Sequence, residues 1–472
     1  MSNFDKNYNI KEEIMQTILF RTDSSSAIGT GHIMRDLVLA KQYPGSKIIF
    51  ATQDLKGNIN HKIIEAGYQI EILKSHSIDE LDILIKKLQI DMIVIDHYGI
   101  DYEYEKKLKI KNSTLKILSF DDTYEKHYCD ILLNHNLSAD GSRYKGLVPK
   151  HCELRCGAKC TLLRDEFHQN FPERIKTKDK NILVAMGGVD SRELNIKIVE
   201  VLCSFENVQI DVITTTANKN LDVLKKYVAN LNNVTLYVNT SEVAKLMHES
   251  DFAIVTPSTI VNEAYFMKLP FIAIKTEDNQ IDIGEYFKRN NFSVLDKFDT
   301  MQLHKKVKFM IDKTSSKLIN FTKLTLDEKK MILEWRNSDA IKKWMHNRDT
   351  ISLESHLEFI DLLNSRDDRI YFLVKNENNF FGVVDLTKIK KEKSAKFGIY
   401  ANPKLKGYGS LLMNQIIEYA FDELNLKKLN SNVYENNLKA IYLYKKFNFK
   451  IVGIIQDKNG KLLNMELISE NR

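Results

Sequence analysis

Short apolar runs of four to six residues alternate along the first two thirds of the chain with longer stretches whose apolar positions recur every three or four residues. The runs at 18–21, 47–51, 92–96 and 116–120 are rich in Ile, Val, Leu and Phe and predict buried strands, and 78–88 has helical spacing. Strands alternating with helices predict a parallel sheet covered on both faces. A polar, basic stretch at 172–180 interrupts the pattern and reads as a hinge. A second strand–glycine–helix unit then starts at 181–186 and continues with strands at 209–214, 235–238, 252–256 and 271–274. Two doubly wound halves in succession predict a cleft where ligands meet the carboxyl ends of strands. The polar stretch 312–317 reads as a linker. Beyond it, strands at 319–324, 370–375, 380–386 and 395–400 precede a helix, a strand at 428–433, another helix and two closing strands. This is the pattern of a mixed, mostly antiparallel α+β domain. The expected organisation is an extension at 1–16, Rossmann-like subdomains at 17–171 and 178–311, the linker, and an α+β domain at 318–472.

Composition changes this picture little. An apolar fraction of 43% supports ordinary cores. The charge, 69 basic minus 63 acidic residues or +6, is spread along the chain rather than gathered into the basic face that nucleic acid requires. A diffuse positive bias still suits anionic ligands such as nucleotides. No apolar run approaches the ~18 residues of a membrane helix, so no membrane partner is expected. The start of the chain, 1–17, is polar and lacks the apolar segment of a secretory signal. With five cysteines, too few for a disulfide framework, the expected compartment is the reducing cytoplasm. Cys152, Cys156 and Cys160 are evenly spaced but lack the second pair of a zinc site, so structural roles in a strand and turn are expected and no metal is required.

In the last domain Lys404, Leu405, Lys406, Gly407, Tyr408, Gly409 and Ser410 lie directly after a strand and before a helix. Glycines let the backbone approach an anion, and the helix start adds unpaired N–H groups and a positive dipole end, so the segment forms a pyrophosphate cradle without a Walker lysine. About thirty residues on comes Asn437-Leu438-Lys439-Ala440-Ile441-Tyr442-Leu443-Tyr444, ending in Phe447-Asn448-Phe449. In order and spacing the two segments resemble the GNAT acetyltransferase superfamily, whose signature runs Gln/Arg-x-x-Gly-x-Gly/Ala and then Asn-x-x-Ala-x-x-Leu-Tyr-x-x-x-Gly-Phe. Lys404 replaces the usual Gln or Arg, and Asn448 the usual Gly; Asn tolerates the left-handed conformation that glycine suggests. The resemblance implies acetyl-CoA as co-substrate, held by backbone N–H groups of Leu405 to Ser410 and by Asn437. It also implies that Tyr444 is the acid protonating the leaving thiolate, with Tyr442 the competing tyrosine on the same helix. A phenol of pKa about 10 suits that task. No residue stands out as a base.

In the first half, Gly29, Gly31, His32 and Arg35 follow the first strand. A helix start disfavours imidazolium, so His32 is expected to stay neutral and able to accept a proton. The second half offers Met186-Gly187-Gly188-Val189-Asp190, where Gly187 and Gly188 could cradle a diphosphate. Thr256 through Ala264 also joins a strand to a helix; there Ser258 and Thr259 can donate to phosphate, and Asn262 and Glu263 lie beside them, Glu263 able to accept from ribose hydroxyls. Together these segments resemble the GT-B-fold nucleotide-sugar enzymes related to MurG. More narrowly, Gly-x-Gly-His-Ile-x-Arg-Asp-Leu, Ile95-Asp96-His97-Tyr98-Gly99, Ser119-Phe120-Asp121-Asp122 and Cys-Glu-x-Arg-Cys-Gly resemble the UDP-sugar hydrolases of pseudaminic-acid biosynthesis (PseG). The resemblance implies water attack on the anomeric carbon of UDP-2,4-diacetamido-2,4,6-trideoxy-β-L-altropyranose, with His32 as base and Gly31, Arg35, Asp96 and Tyr98 about the UDP-sugar; Asp96 could instead only cap its strand. Leu333-Glu334-Trp335-Arg336-Asn337 and Ile341-Lys342-Lys343-Trp344-Met345 resemble the same pathway's acetyltransferases (PseH). That makes Arg336 and His356 candidates for the acetyltransferase's sugar pocket, or simply core residues of two helices. The implied partners are UDP-amino-sugars, acetyl-CoA and water; oligomeric state is not readable. The alternatives are a glycosyltransferase of the same fold fused to an acetyltransferase, and a nucleotide-sugar binding module serving it.

Overall fold

The structure, a computed structural model, describes residues 16–174 and 177–471. The expected extension at 1–16 lies, but for Gln16, outside the described residues. The chain forms two compact units, 1–310 and 311–472.

The first unit holds two wholly parallel sheets. The first comprises β1 (Thr17–Thr22), β2 (Lys47–Gln53), β3 (Gln69–Leu73), β4 (Met92–Asp96), β5 (Lys116–Phe120), β6 (Ile131–Asn134) and β7 (Glu153–Cys156), in the order β3-β2-β1-β4-β5-β6-β7. β1 and β4 are buried on both faces, which is why they read as continuous apolar runs rather than alternating ones. The order reverses between β1 and β4, whose last residues, Thr22 and Asp96, lie side by side. That reversal opens a crevice at the carboxyl ends of these two strands.

The second sheet comprises β8 (Lys180–Ala185), β9 (Val208–Thr214), β10 (Val234–Val238), β11 (Phe252–Val255), β12 (Phe271–Ile274) and β13 (Ser293–Leu295), ordered β10-β9-β8-β11-β12-β13. It repeats the same winding, with its reversal between β8 and β11. Leu163, Phe167 and Phe171, expected in the first subdomain, pack into the core of this second half, as does Leu137.

The second unit is one mixed sheet: β14 (Lys317–Asn320), β15 (Arg369–Lys375), β16 (Phe380–Lys390), β17 (Ser394–Ala401), β18 (Lys428–Tyr434), β19 (Lys450–Asp457) and β20 (Gly460–Ile468), ordered β14-β15-β16-β17-β18-β20-β19. Its single parallel pair, β17 with β18, is joined only from Ser394↔Lys428 to Lys396↔Asn430. Beyond that the two strands diverge while each keeps its outer partner, leaving a cleft in mid-sheet. Two expectations are corrected. The polar stretch 312–317 is no linker: a helix, Thr300–Ser315, runs through it to the first residues of β14. The strand expected over 319–324 ends at Asn320, because the Asn320 side chain accepts the Thr322 amide at 3.0 Å and turns the chain into a 3-10 helix, Phe321–Lys323.

Candidate active sites

The crevice between β1 and β4 gathers the first set of residues. Helix Gly31–Ala40 follows β1 and carries His32 in its first turn. The His32 Nδ1 lies 3.2 Å from the Asp96 carbonyl oxygen. A carbonyl only accepts, so Nδ1 carries the proton and Nε2 keeps its lone pair. Burial, with help from the Arg35 charge, holds His32 below its usual pKa against the pull of Asp96 and Asp122. The ring is therefore a neutral imidazole at pH 7. Tyr98, 58% exposed, stands edge-on to it with ring centres 5.0 Å apart and donates its hydroxyl to Asp122 at 3.1 Å.

Arg35 and Asp96 lie beneath the histidine. Arg35 donates from Nε to Asp96 Oδ2 at 2.6 Å and from Nη2 to Oδ1 at 2.5 Å, and its Nη1 reaches Asp122 at 3.4 Å. Asp96 is thereby held below its ordinary pKa, burial notwithstanding. Both side chains are buried, so the geometry gives Asp96 more than a strand-capping role: its carbonyl sets the histidine tautomer, and its carboxylate ties down Arg35. Sequence reasoning missed Asp122 and His135. His135 is buried near this group with its Nδ1 unpartnered among the described residues, and burial, then the Arg35 charge, lowers its pKa to about 3. Asp122 had a signal, the doubled acid ending the Ser119-to-Asp122 run; His135, at the end of β6, had none.

In the second half the two strand-to-helix loops behave differently. After β8, Gly187 has φ +80°, and a Cβ on Gly188 would sit 2.8 Å from the Thr215 methyl, so both glycines are required by the turn. The helix that follows, Leu194–Leu202, has its first amides taken: Asp190 accepts from Leu194 N at 2.8 Å and from Asn195 N at 3.0 Å. After β11, helix Thr259–Phe266 has no side-chain cap, and no described hydrogen bond takes the Thr259 and Ile260 amides. Ser258 Oγ lies 2.9 Å from Thr256 Oγ1. Asn262 is buried and reaches Asn136 of the first half at 3.4 Å. Both carboxylate oxygens of Glu263 are engaged by Arg164, at 3.0 and 3.1 Å, which leaves only their remaining lone pairs for a ribose. A cavity of about 470 Å³ beside Arg192, Lys275 and Glu277 contains none of the expected residues.

In the second unit the loop of Lys406, Gly407, Tyr408, Gly409 and Ser410 leads into helix Gly409–Glu418, which also lacks a side-chain cap. Gly407 has φ +90°, and a Cβ on Gly409 would come 3.1 Å from Leu443 of the neighbouring helix. The Leu405 amide is not available to a ligand, since it donates to the Asn402 carbonyl at 3.0 Å; those of Lys406 to Ser410 have no partner among the described hydrogen bonds. The Tyr408 hydroxyl donates to Asp312 at 2.7 Å and anchors the loop from behind. Asn437 caps helix Leu438–Lys446 by accepting the Ala440 amide at 3.3 Å.

Tyr444 on that helix is buried, and its hydroxyl lies 3.5 Å from Ser431 Oγ, which donates to the Phe397 carbonyl at 3.1 Å. It thus reaches the cleft between β17 and β18. Burial, partly offset by Ser431, pushes it up to about 12, so it holds its proton. Tyr442 is 74% exposed on the other side of the helix. Asn448 has φ +62°, the left-handed conformation expected of it. Arg336 donates to the Asn347 carbonyl at 2.5 Å, and its buried Nη1 has no partner among the described residues. His356 faces the Lys329 carbonyl at 3.1 Å and ties two helices together.

A family model described as an acetyltransferase (GNAT) domain matches residues 319–450. The UDP-2,4-diacetamido-2,4,6-trideoxy-beta-L-altropyranose hydrolase of Campylobacter jejuni is 42% identical over 277 residues, covering 59% of this chain and 98% of that protein. The acetyltransferase PseH of the same species is 42% identical over 135 residues, covering 29% of this chain and 85% of that protein. The crystal structure of a C. jejuni PseH in complex with acetyl coenzyme A is 36% identical, covering 33% of this chain and 99% of that one, with a TM-score of 0.28. No helix among the described residues is long and apolar enough to cross a membrane.

Proposed function

The chain belongs to the family of UDP-2,4-diacetamido-2,4,6-trideoxy-β-L-altropyranose hydrolases over its first unit and to the PseH-type GNAT acetyltransferases over its last, and on that premise we propose that it carries out two consecutive steps on one nucleotide sugar. The second unit transfers the acetyl group of acetyl-CoA to the 4-amino group of UDP-4-amino-4,6-dideoxy-N-acetyl-β-L-altrosamine. The first unit then hydrolyses the product to the free sugar and UDP.

In the acetyl transfer, the amine attacks the thioester carbonyl, the C–S bond breaks, and Tyr444 gives its proton to the thiolate. The unpaired amides of Lys406 to Ser410 and the uncapped helix behind them hold the pyrophosphate. In the hydrolysis, His32 Nε2 takes a proton from water as the oxygen attacks the anomeric carbon. The bond to the diphosphate oxygen breaks with inversion. UDP is already a good leaving group, so helix-terminal amides at Thr259 and Ile260, with Ser258, together with one positioned base, suffice.

The observation that carries this reading is the fixed tautomer of His32: a neutral base at the strand-order reversal, its lone pair at Nε2. The test supplies the full chain with the UDP-4-amino sugar and acetyl-CoA and follows CoA and UDP. CoA is expected first and UDP second, with UDP release abolished by His32→Ala and CoA release retained. UDP release unchanged in His32→Ala overturns the hydrolytic assignment. UDP released only when a sugar acceptor is added replaces hydrolysis with glycosyl transfer.

A further inference from the structure

The acetyl transfer as described lacks a group to take the proton that the attacking amine must lose. We propose that Asp385 is that general base; the inference rests on the acetyltransferase reading and goes beyond it.

Asp385 stands in the middle of β16, a strand otherwise apolar from Phe380 to Leu386. Its register partners are Tyr371 on β15 and Gly398 on β17. Gly398 makes the arrangement possible. A Cβ built there would lie 2.4 Å from Asp385 Oδ2 and 3.0 Å from Cγ, so the carboxyl occupies the space a side chain at 398 would fill. The carboxyl therefore leans across β17 two residues past Lys396, the last position where β17 pairs with β18. This is where the cleft opens.

Tyr444 reaches the same strand from the neighbouring residue. Its hydroxyl is linked through Ser431 Oγ to the carbonyl of Phe397, the residue next to Gly398. The Tyr444 ring packs on the Phe397 ring, centroids 5.1 Å apart, while Asp385 fills the side-chain space of Gly398, so acid and base stand at adjacent residues of β17 on its opposite faces, where the cleft opens. The two groups also sense each other, since the Asp385 charge contributes to the raised pKa of Tyr444.

The groups around the carboxyl are tyrosines: Tyr371 from β15, Tyr400 from β17 and Tyr444 from helix Leu438–Lys446, each with its acidity weakened in part by Asp385. Arg336, on helix Leu326–Asn337, acts on Tyr400. No described cation pairs with Asp385, and burial alone raises it to about 7. A carboxyl at that value is partly ionised at neutral pH and basic enough to draw a proton from an ammonium as it becomes an amide. The step balances. The amine nitrogen forms the bond to the acetyl carbon, its proton passes to the Asp385 carboxylate, the C–S bond breaks, and the Tyr444 proton goes to sulfur. Solvent then returns both groups to their starting states.

The test measures CoA release by the full chain as a function of pH, for the wild type and Asp385→Asn, with amino sugar and acetyl-CoA saturating. Wild-type kcat is expected to rise through about pH 7. Asp385→Asn is expected to lose about 100-fold in kcat at pH 7 with the acetyl-CoA KM unchanged, in the range of a removed general base. The deficit should shrink at pH 9 and above, where hydroxide can take the proton that the attacking amine loses. A deficit of the same size at every pH marks a positioning role and overturns the proposal, and so does a wild-type profile without an inflection near 7, which is readable even if the variant fails to fold. CoA release by Asp385→Asn equal to wild type overturns the base alone; no CoA release by the wild type with any amine overturns the acetyltransferase reading together with it.

Discussion

His127 is the residue whose protonation should most visibly tie the stability of the first unit to pH. It is buried between two carboxylates, with Nδ1 2.8 Å from Glu105 and Nε2 3.9 Å from Asp121. Burial alone would lower its pKa, but hydrogen bonds and charges from both acids raise it to about 10. Asp121 in turn accepts from Thr123 N, Tyr124 N and Tyr144 Oη at 3.0, 2.8 and 2.7 Å, and so shapes the end of β5 that presents Asp122 to Tyr98 and Arg35. A histidine whose pKa rises from an ordinary 6.5 to about 10 on folding stabilises the folded state by at most about 5 kcal/mol, at 1.36 kcal/mol per pH unit. That contribution is fully present below pH 6.5 and is lost as the pH rises through 10. His127→Gln removes the charge but keeps a donor worth about 1 kcal/mol, and the fold relaxes around two buried acids. The expected loss is therefore about 2–4 kcal/mol at pH 7, falling towards zero near pH 10. The assay is urea unfolding of the full chain followed in parallel by far-UV circular dichroism and tryptophan fluorescence. Both tryptophans, Trp335 and Trp344, belong to the second unit, so a dichroism transition without a fluorescence counterpart belongs to the first. The variant should shift that transition by roughly 1 M urea or more at pH 7 and much less at pH 10. An equal shift at both pH values would refute the reasoning.

Three further outcomes are expected. Tyr444→Phe should slow CoA release about ten-fold or more while Tyr442→Phe leaves it unchanged, since only the first phenol reaches the cleft; steady-state kinetics of both variants decides it, and equal rates for Tyr444→Phe and wild type exclude Tyr444 as the acid. Gly407→Ala forces a side chain into φ +90°, a strain of about 1–3 kcal/mol, and should raise the acetyl-CoA KM at least about five-fold with UDP release unaffected; an unchanged KM would show that the loop does not hold the pyrophosphate. Because His32 lies below its ordinary 6.5 and must be neutral to act, kcat/KM for UDP release should rise with pH, with its midpoint below 6.5, and stay flat through pH 7–8; a midpoint above 6.5 contradicts the assignment.

The sheets were legible because strands buried on both faces carry little but apolar side chains, and glycine-bearing loops mark the strand ends. What could not be read was which hydrogen-bonding valence is already spent. Arg35, Glu263, Leu405 and Asn437 are all of the right type at the right place in sequence. In the fold Arg35 is clamped to Asp96, Glu263 to Arg164, the Leu405 amide to Asn402, and the Asn437 carbonyl to its own helix. Each of those partners except Asn402 and Ala440 is distant in the chain. The segment 312–317 misled for a local reason: Lys, Thr and Ser are compatible with both a linker and a helix's last turn, and here Ser315 and Ser316 hydroxyls return to the Ile311 and Lys313 carbonyls to close that turn. Asp385 left one sequence trace, a lone acid in an apolar strand, but its meaning depends on Gly398 across the sheet.

Competition for helix-terminal amides also separates the two glycine-and-hydroxyl loops of the second half, which sequence alone treats as equivalent. The helix after Gly187 and Gly188 is closed by Asp190, whose carboxyl accepts two of its first amides; a diphosphate bound there would have to displace an internal hydrogen bond and bring its charge against a buried acid. The helix after Ser258 has no such occupant, and its dipole and amides remain directed outward. The same contrast holds in the second unit, where helix Gly409–Glu418 starts without a side-chain cap and helix Leu438–Lys446 is capped by Asn437. An anion gains most where the fold has left donors unpaired, so the proposed phosphate positions are better placed at Ser258–Thr259 and Lys406–Ser410. The loop of Gly187 and Gly188 is left to shape the wall, as its contact with Thr215 already requires.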